Sequence, residues 1–160
     1  MAHLFRLVSP AFDDGDLMPL RFTCKGSNIS PPLTLLGVTL ETASLALIMH
    51  DPDAPNGDYV HWLVWNIPPK IDEFLEGEAP DSAVLGTNSF GDVQYDGPCP
   101  PSGTHRYIFE LYALDAMLDL PVGASEEDLR SEIAEHLLDE ASLTGRFGDE
   151  SDELLEESVI

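Results

Sequence analysis

Apolar residues recur along this chain in two rhythms. Three runs, 44–50 (SLALIMH), 59–67 (YVHWLVWNI) and 105–114 (HRYIFELYAL), are rich in β-forming side chains and are bounded by Pro, Gly, Asp and Asn clusters, which predicts strands. In the second run Tyr59, His61, Leu63, Trp65 and Ile67 alternate onto one face and Val60, Trp62 and Val64 onto the other. Both faces are apolar, so this strand belongs inside a sheet. In the third run His105, Tyr107, Phe109, Leu111 and Ala113 share a face, and shorter windows at 4–8 and 33–36 predict two more strands. The rhythm then changes to four-residue steps at Leu129, Ile133, Leu137 and Ala141, behind an N-cap candidate, Ser125, and a first turn of Glu126, Glu127 and Asp128. This predicts an amphipathic helix near 125–141 in a chain that is otherwise mainly β, without long-period repeats.

Composition narrows the class. A chain of 160 residues, 43% of them hydrophobic, is the size of one compact domain, expected over 1–147 with an acidic tail at 148–160. No run resembles a signal peptide or a membrane span, so the expectation is a cytoplasmic protein without stable membrane association. Cys24 and Cys99 lack metal-site spacing; they are free thiols or one bridge, and a reducing cytoplasm would favour the thiols. Thirty acidic residues against seven basic ones give a formal charge of -23, which repels nucleic acid and anionic membranes. Lys25 and Lys70 are the only lysines, a scarcity that fits adaptation to high salt as well as a plainly solvated acidic surface.

Reactive side chains concentrate at 51–55 (DPDAP), at His61 and Trp62, and at 95–107 (YDGPCPPSGTHRY). Pro52 and Pro55 restrict the backbone around Asp51 and Asp53, and a carboxylate there is placed to hold one tautomer of His61. With His105, Tyr107 and backbone N–H groups near Gly97 and Gly103, these residues form a donor-rich niche suited to a phosphate or carboxylate. Taken singly, each has a structural explanation: a strand-end histidine, an Asp turn, a core tyrosine. No GxSxG elbow or HExxH pair is present, and Cys99 is wedged between Pro98 and Pro100, so neither an enzyme nor a metal or other cofactor is expected.

In combination the motifs say more. SNISPPL at 27–33, LALIMHDPDAP at 45–55, HWLVWNIP at 61–68 and YDGPCPPSGTHRYIFELYAL at 95–114 closely resemble, in order, the phosphatidylethanolamine-binding family, in particular its bacterial and archaeal Raf-kinase-inhibitor-like branch. The resemblance implies a β-sandwich-like fold of two antiparallel sheets with a few peripheral helices, and a pocket for phosphate-like anions. Carried over by position, that pocket comprises Asp51, Asp53, His61, Gly97, Pro98, His105 and Tyr107. The implied role is non-enzymatic binding of a small anionic or phosphorylated ligand; an alternative is inhibition of a serine protease or kinase partner, and a hydrolase is the weaker reading. The resemblance also makes a homodimer plausible. Gln94 stands where the family often has glycine, which is expected to stiffen or reshape that rim. Neighbouring carboxylates are expected to raise the pKa values of both pocket histidines.

Overall fold

The computed structural model describes residues 4–151. Eight strands are formed there: β1 (Arg6–Val8), β2 (Leu33–Leu36), β3 (Ser44–Asp51), β4 (Tyr59–Ile67), β5 (Glu73–Phe74), β6 (Val84–Leu85), β7 (Thr104–Leu114) and β8 (Leu137–Gly148), with one α-helix, α1 (Glu126–His136), before β8. They make two antiparallel sheets, a small one ordered β1-β2-β5 and a large one ordered β6-β4-β3-β7-β8. The mainly β, two-sheet architecture is the one expected.

β3 lies between β4 and β7 and is buried along its whole length, which is why its sequence is apolar without alternation. One face of the large sheet packs on the small sheet: Leu45, Leu47, Met49, Phe109 and Leu111 meet Phe5, Leu7, Leu33, Leu35 and Phe74. The other face packs on α1, where Leu129 and Ile133 cover Ala46, Ile48, Leu63, Trp65 and Leu114. The chain is thus three layers, small sheet, large sheet and helix, and the large sheet has a core on each side.

Two local expectations fail for identifiable reasons. Simple alternation put His61 with Leu63, Trp65 and Ile67, but pairing with β3 shifts register opposite Met49–His50 and again opposite Leu45–Leu47. These irregularities re-aim side chains. His61 packs on Tyr107, whereas Leu63 and Trp65 face the helix, and Ile67, beyond Asn66 at φ 54°, turns back to the sheet-facing core. The predicted helix of 125–141 stops at His136: from Leu137 the chain pairs with the open edge of β7, so Leu137 and Ala141 are strand residues. A strand edge offering a continuous ladder outweighs a helical period with little left to bury. Residues 149–151 form a 3-10 turn with Ser151 buried; the rest of the expected tail, 152–160, lies outside the described residues.

Candidate functional site

Asp51 ends β3 and is buried. Its Oδ1 accepts the backbone N–H of Asp53 at 2.8 Å, closing a local turn, and its Oδ2 lies 2.6 Å from Nδ1 of His105, which donates across from β7. The other His105 nitrogen faces the carbonyl of Ser102 at 3.1 Å, so both ring nitrogens are engaged within the protein. Tyr107 stacks on His105 with centroids 6.4 Å apart, and its phenol lies in the field of the Asp51 carboxylate. Burial first, and the Asp51 carboxylate second, push the Tyr107 phenol well above its ordinary range, so it remains a neutral donor.

His61 is held differently from the expectation. The group that fixes its tautomer is the carbonyl of Asp96, which accepts from Nδ1 at 2.6 Å. Nε2 is then the unprotonated nitrogen of a ring that lines the cavity. Burial lowers the His61 pKa below 6.5, outweighing the pull of nearby Asp51 and Asp96, so the expected upward shift does not occur. Asn88 organises the surrounding loop: its amide nitrogen donates to the Gln94 carbonyl and the Asp96 carboxylate, and its oxygen accepts from the N–H groups of Phe90 and Asp92. Gln94, in the same loop, donates to the Asp96 carboxylate at 3.0 Å.

These elements surround a cavity of about 300 Å³. Of the sequence-predicted residues, Asp51, His61, His105 and Tyr107 line it together. Asp53, Gly97 and Pro98 do not line it. Asp53 turns outward to Arg106, which grips it through Nε and Nη2 and holds its pKa down to about 2. Gly97 serves close packing: a Cβ there would stand 2.1 Å from the Phe22 carbonyl, and its N–H donates to Asn28. Pro98 accepts from the Cys24 N–H, and Cys24 is disulfide-bonded to Cys99, which closes the choice between thiols and a bridge.

The cavity also uses residues that the sequence reading did not select. Tyr59, Phe90 and His61 form an edge-on cluster with centroids 5.0 to 5.6 Å apart, and His61 meets Tyr107 in the same way at 5.2 Å. Residues 54–58 and 99–101 complete the wall, and no lysine or arginine lines it. Pro100 and Pro101 were visible in the PCPP motif, but nothing local marks Phe90, which lies outside the motifs, five residues before Tyr95.

Comparison with known proteins agrees with this architecture. A profile of the phosphatidylethanolamine-binding protein family matches residues 8–148, most of the chain. The chain belongs to that family. A UPF0098 protein of Methanothermobacter thermautotrophicus is 50% identical over 146 residues, covering 88% of this chain and 97% of the relative. Among solved structures, the phosphatidylethanolamine-binding protein homologue CT736 of Chlamydia trachomatis superposes with a TM-score of 0.88 at 38% identity, covering 92% of this chain and 99% of that one. Escherichia coli YbcL superposes with a TM-score of 0.86 at 28% identity, covering 91% and 99%. Within this family fold, the pocket residues come from the end of β3, the β3–β4 connection, β4, the loops at 90 and 99–101, and the start of β7.

Proposed function

We propose that this member of the phosphatidylethanolamine-binding family is a non-enzymatic binding protein whose pocket takes a small phosphate-bearing ligand in its singly ionised form. The observation that carries this reading is the His61 tautomer. With Nδ1 committed to the Asp96 carbonyl and the ring kept neutral by burial, Nε2 is an acceptor. A fully ionised phosphate would find no lysine or arginine in the wall and would face the carboxylates of Asp51 and Asp58. A phosphate monoester that keeps one proton can donate its P–OH to Nε2 and brings one less negative charge against those carboxylates. Binding by occupancy is favoured over turnover because Cys99 is tied up in a disulfide and, among the described residues, no serine or lysine lines the cavity.

Calorimetric titration with methyl phosphate tests this. Affinity should be greatest below the second phosphate ionisation near pH 6 and fall above it, because the bound pair needs one proton that neither free partner then carries. His61→Ala should cost about tenfold or more at the lower pH, the order expected for one hydrogen bond to a charged group. An affinity that rises with pH, or one indifferent to His61 in a folded variant, overturns the reading.

A further inference from the structure

The disulfide stands at the pocket itself. Cys99 is one of the residues lining the cavity, and Cys24, 75 residues earlier, is its partner from the loop that follows the 3-10 turn Leu20–Phe22. Both half-cystines are solvent-exposed, and neither belongs to either hydrophobic core. Exposure is what gives a dithiol access to a disulfide, and exposed bridges are the labile ones. Beside the disulfide, this wall is tied by the Cys24 N–H to the Pro98 carbonyl at 3.1 Å, the Gly97 N–H to Asn28 at 2.8 Å and the Ser102 carbonyl to His105 Nε2 at 3.1 Å, while Pro100 and Pro101 have no N–H to donate.

We propose that the Cys24–Cys99 bridge is a thiol–disulfide exchange site, and that its redox state sets the form of the binding pocket. A thiolate of an external dithiol attacks Sγ of Cys24, which does not line the cavity, forming a mixed disulfide and expelling the Cys99 thiolate, which takes up a proton. The second thiol of the reductant then displaces Cys24, leaving two cysteine thiols and one oxidised dithiol, a transfer of two electrons and two protons. Reduction removes the covalent tie that holds the 99–101 wall to the body of the protein, while both cores persist. The wall then loosens beside Tyr107 and His105, and ligand affinity falls. This last consequence rests on the pocket reading given above; the exchange chemistry does not.

The test uses the oxidised full chain equilibrated with dithiothreitol at graded ratios of reduced to oxidised reagent. Alkylation and mass measurement should show both thiols appearing together while circular dichroism and cooperative melting persist. Thiols that become reactive only when the protein unfolds would overturn the exchange site. Cys24→Ser breaks the bridge without altering a cavity residue, so it should reproduce the ring NMR signals of His61 and Phe90 seen in the reduced protein, and bind methyl phosphate about tenfold more weakly than the oxidised form. Ring signals and affinity identical in oxidised, reduced and Cys24→Ser proteins would overturn the coupling. If no form binds methyl phosphate, the phosphate reading fails, and the alkylation and ring signals still decide the proposal.

Discussion

Asp51 and Asp53 sit two positions apart in a motif that treats them alike, yet they do different things. Asp51 is buried with both oxygens committed, to the Asp53 N–H and to His105. Replacing it with alanine strands both donors, and breaking a buried, hydrogen-bonded pair costs about 3 kcal/mol. Urea denaturation of Asp51→Ala should show that loss. Asp53 shares its charge with an exposed arginine in a screened setting, so Asp53→Ala should match wild type in both denaturation midpoint and methyl phosphate affinity. A measurable loss of affinity would return Asp53 to the site. His61 supplies a titration test. Its folded pKa is depressed, so its contribution to stability is complete above 6.5 and is lost as pH falls below that value; its imidazole C–H signals should titrate with a midpoint under 6.5. A midpoint above 6.5 would contradict the burial argument. The sequence identified four cavity residues because they lie within strand-end motifs. It could not separate Asp51 from Asp53, because the Arg106 contact that draws Asp53 outward depends on β7 arriving alongside.

At the scale of elements, β3, β7 and α1 are joined by charge as well as by packing. His50 is on the helix-facing side of β3; its Nδ1 contacts Asp58 of the pocket loop at 2.6 Å, and its Nε2 lies 3.1 Å from Glu110 of β7, off the hydrogen-bonding line, as an ion pair. Glu110 in turn meets Arg130 of α1, which also binds Glu126 one turn earlier. Burial disfavours charge on both His50 and Glu110, but their partners prevail: His50 is raised above 6.5 and Glu110 is held down to about 2. The signs follow by linkage. Glu110's contribution is present above 4.5 and lost as pH falls toward 2, whereas that of His50 is present below 6.5 and lost as pH rises through its elevated value. The melting difference between wild type and Glu110→Gln should therefore be largest between pH 4.5 and 6.5 and shrink on either side. A pH-independent difference would mean that the variant only disturbs packing. The existence of β3, β4, β7 and α1 was legible from periodicity, since Leu129 and Ile133 do face the core. The end of α1 was not, because Leu137 continues the helical period and only the edge of β7 makes it a strand.

For the molecule as a whole, the formal charge of -23 sets a background that every local contact must overcome. Screening weakens repulsion among exposed carboxylates far more than it weakens buried pairs. Thermal melts from low to molar potassium chloride should show a rising midpoint; a flat or falling one would remove the high-salt interpretation of the acidic surface. The two-sheet architecture was available from the sequence only through the ordered family motifs. β5 and β6 are two residues each, too short for any periodic signal, and Pro/Gly-rich connections hide which strands become neighbours.

The strand order carries a consequence for biosynthesis. β3 and β4 can pair as a hairpin as soon as they are made, but β7, which must cover the other edge of β3, is translated later, after β5 and β6. Until it arrives, a strand that is buried along its whole length in the native fold has a bare edge, Asp51 has no imidazole to bind, and Cys24 waits 75 residues for its partner. The nascent protein is therefore most exposed to wrong strand pairing, and to disulfides between chains, in the interval between emergence of the first and the second half of its own pocket, and slowing elongation there would lengthen the hazard without changing the native state.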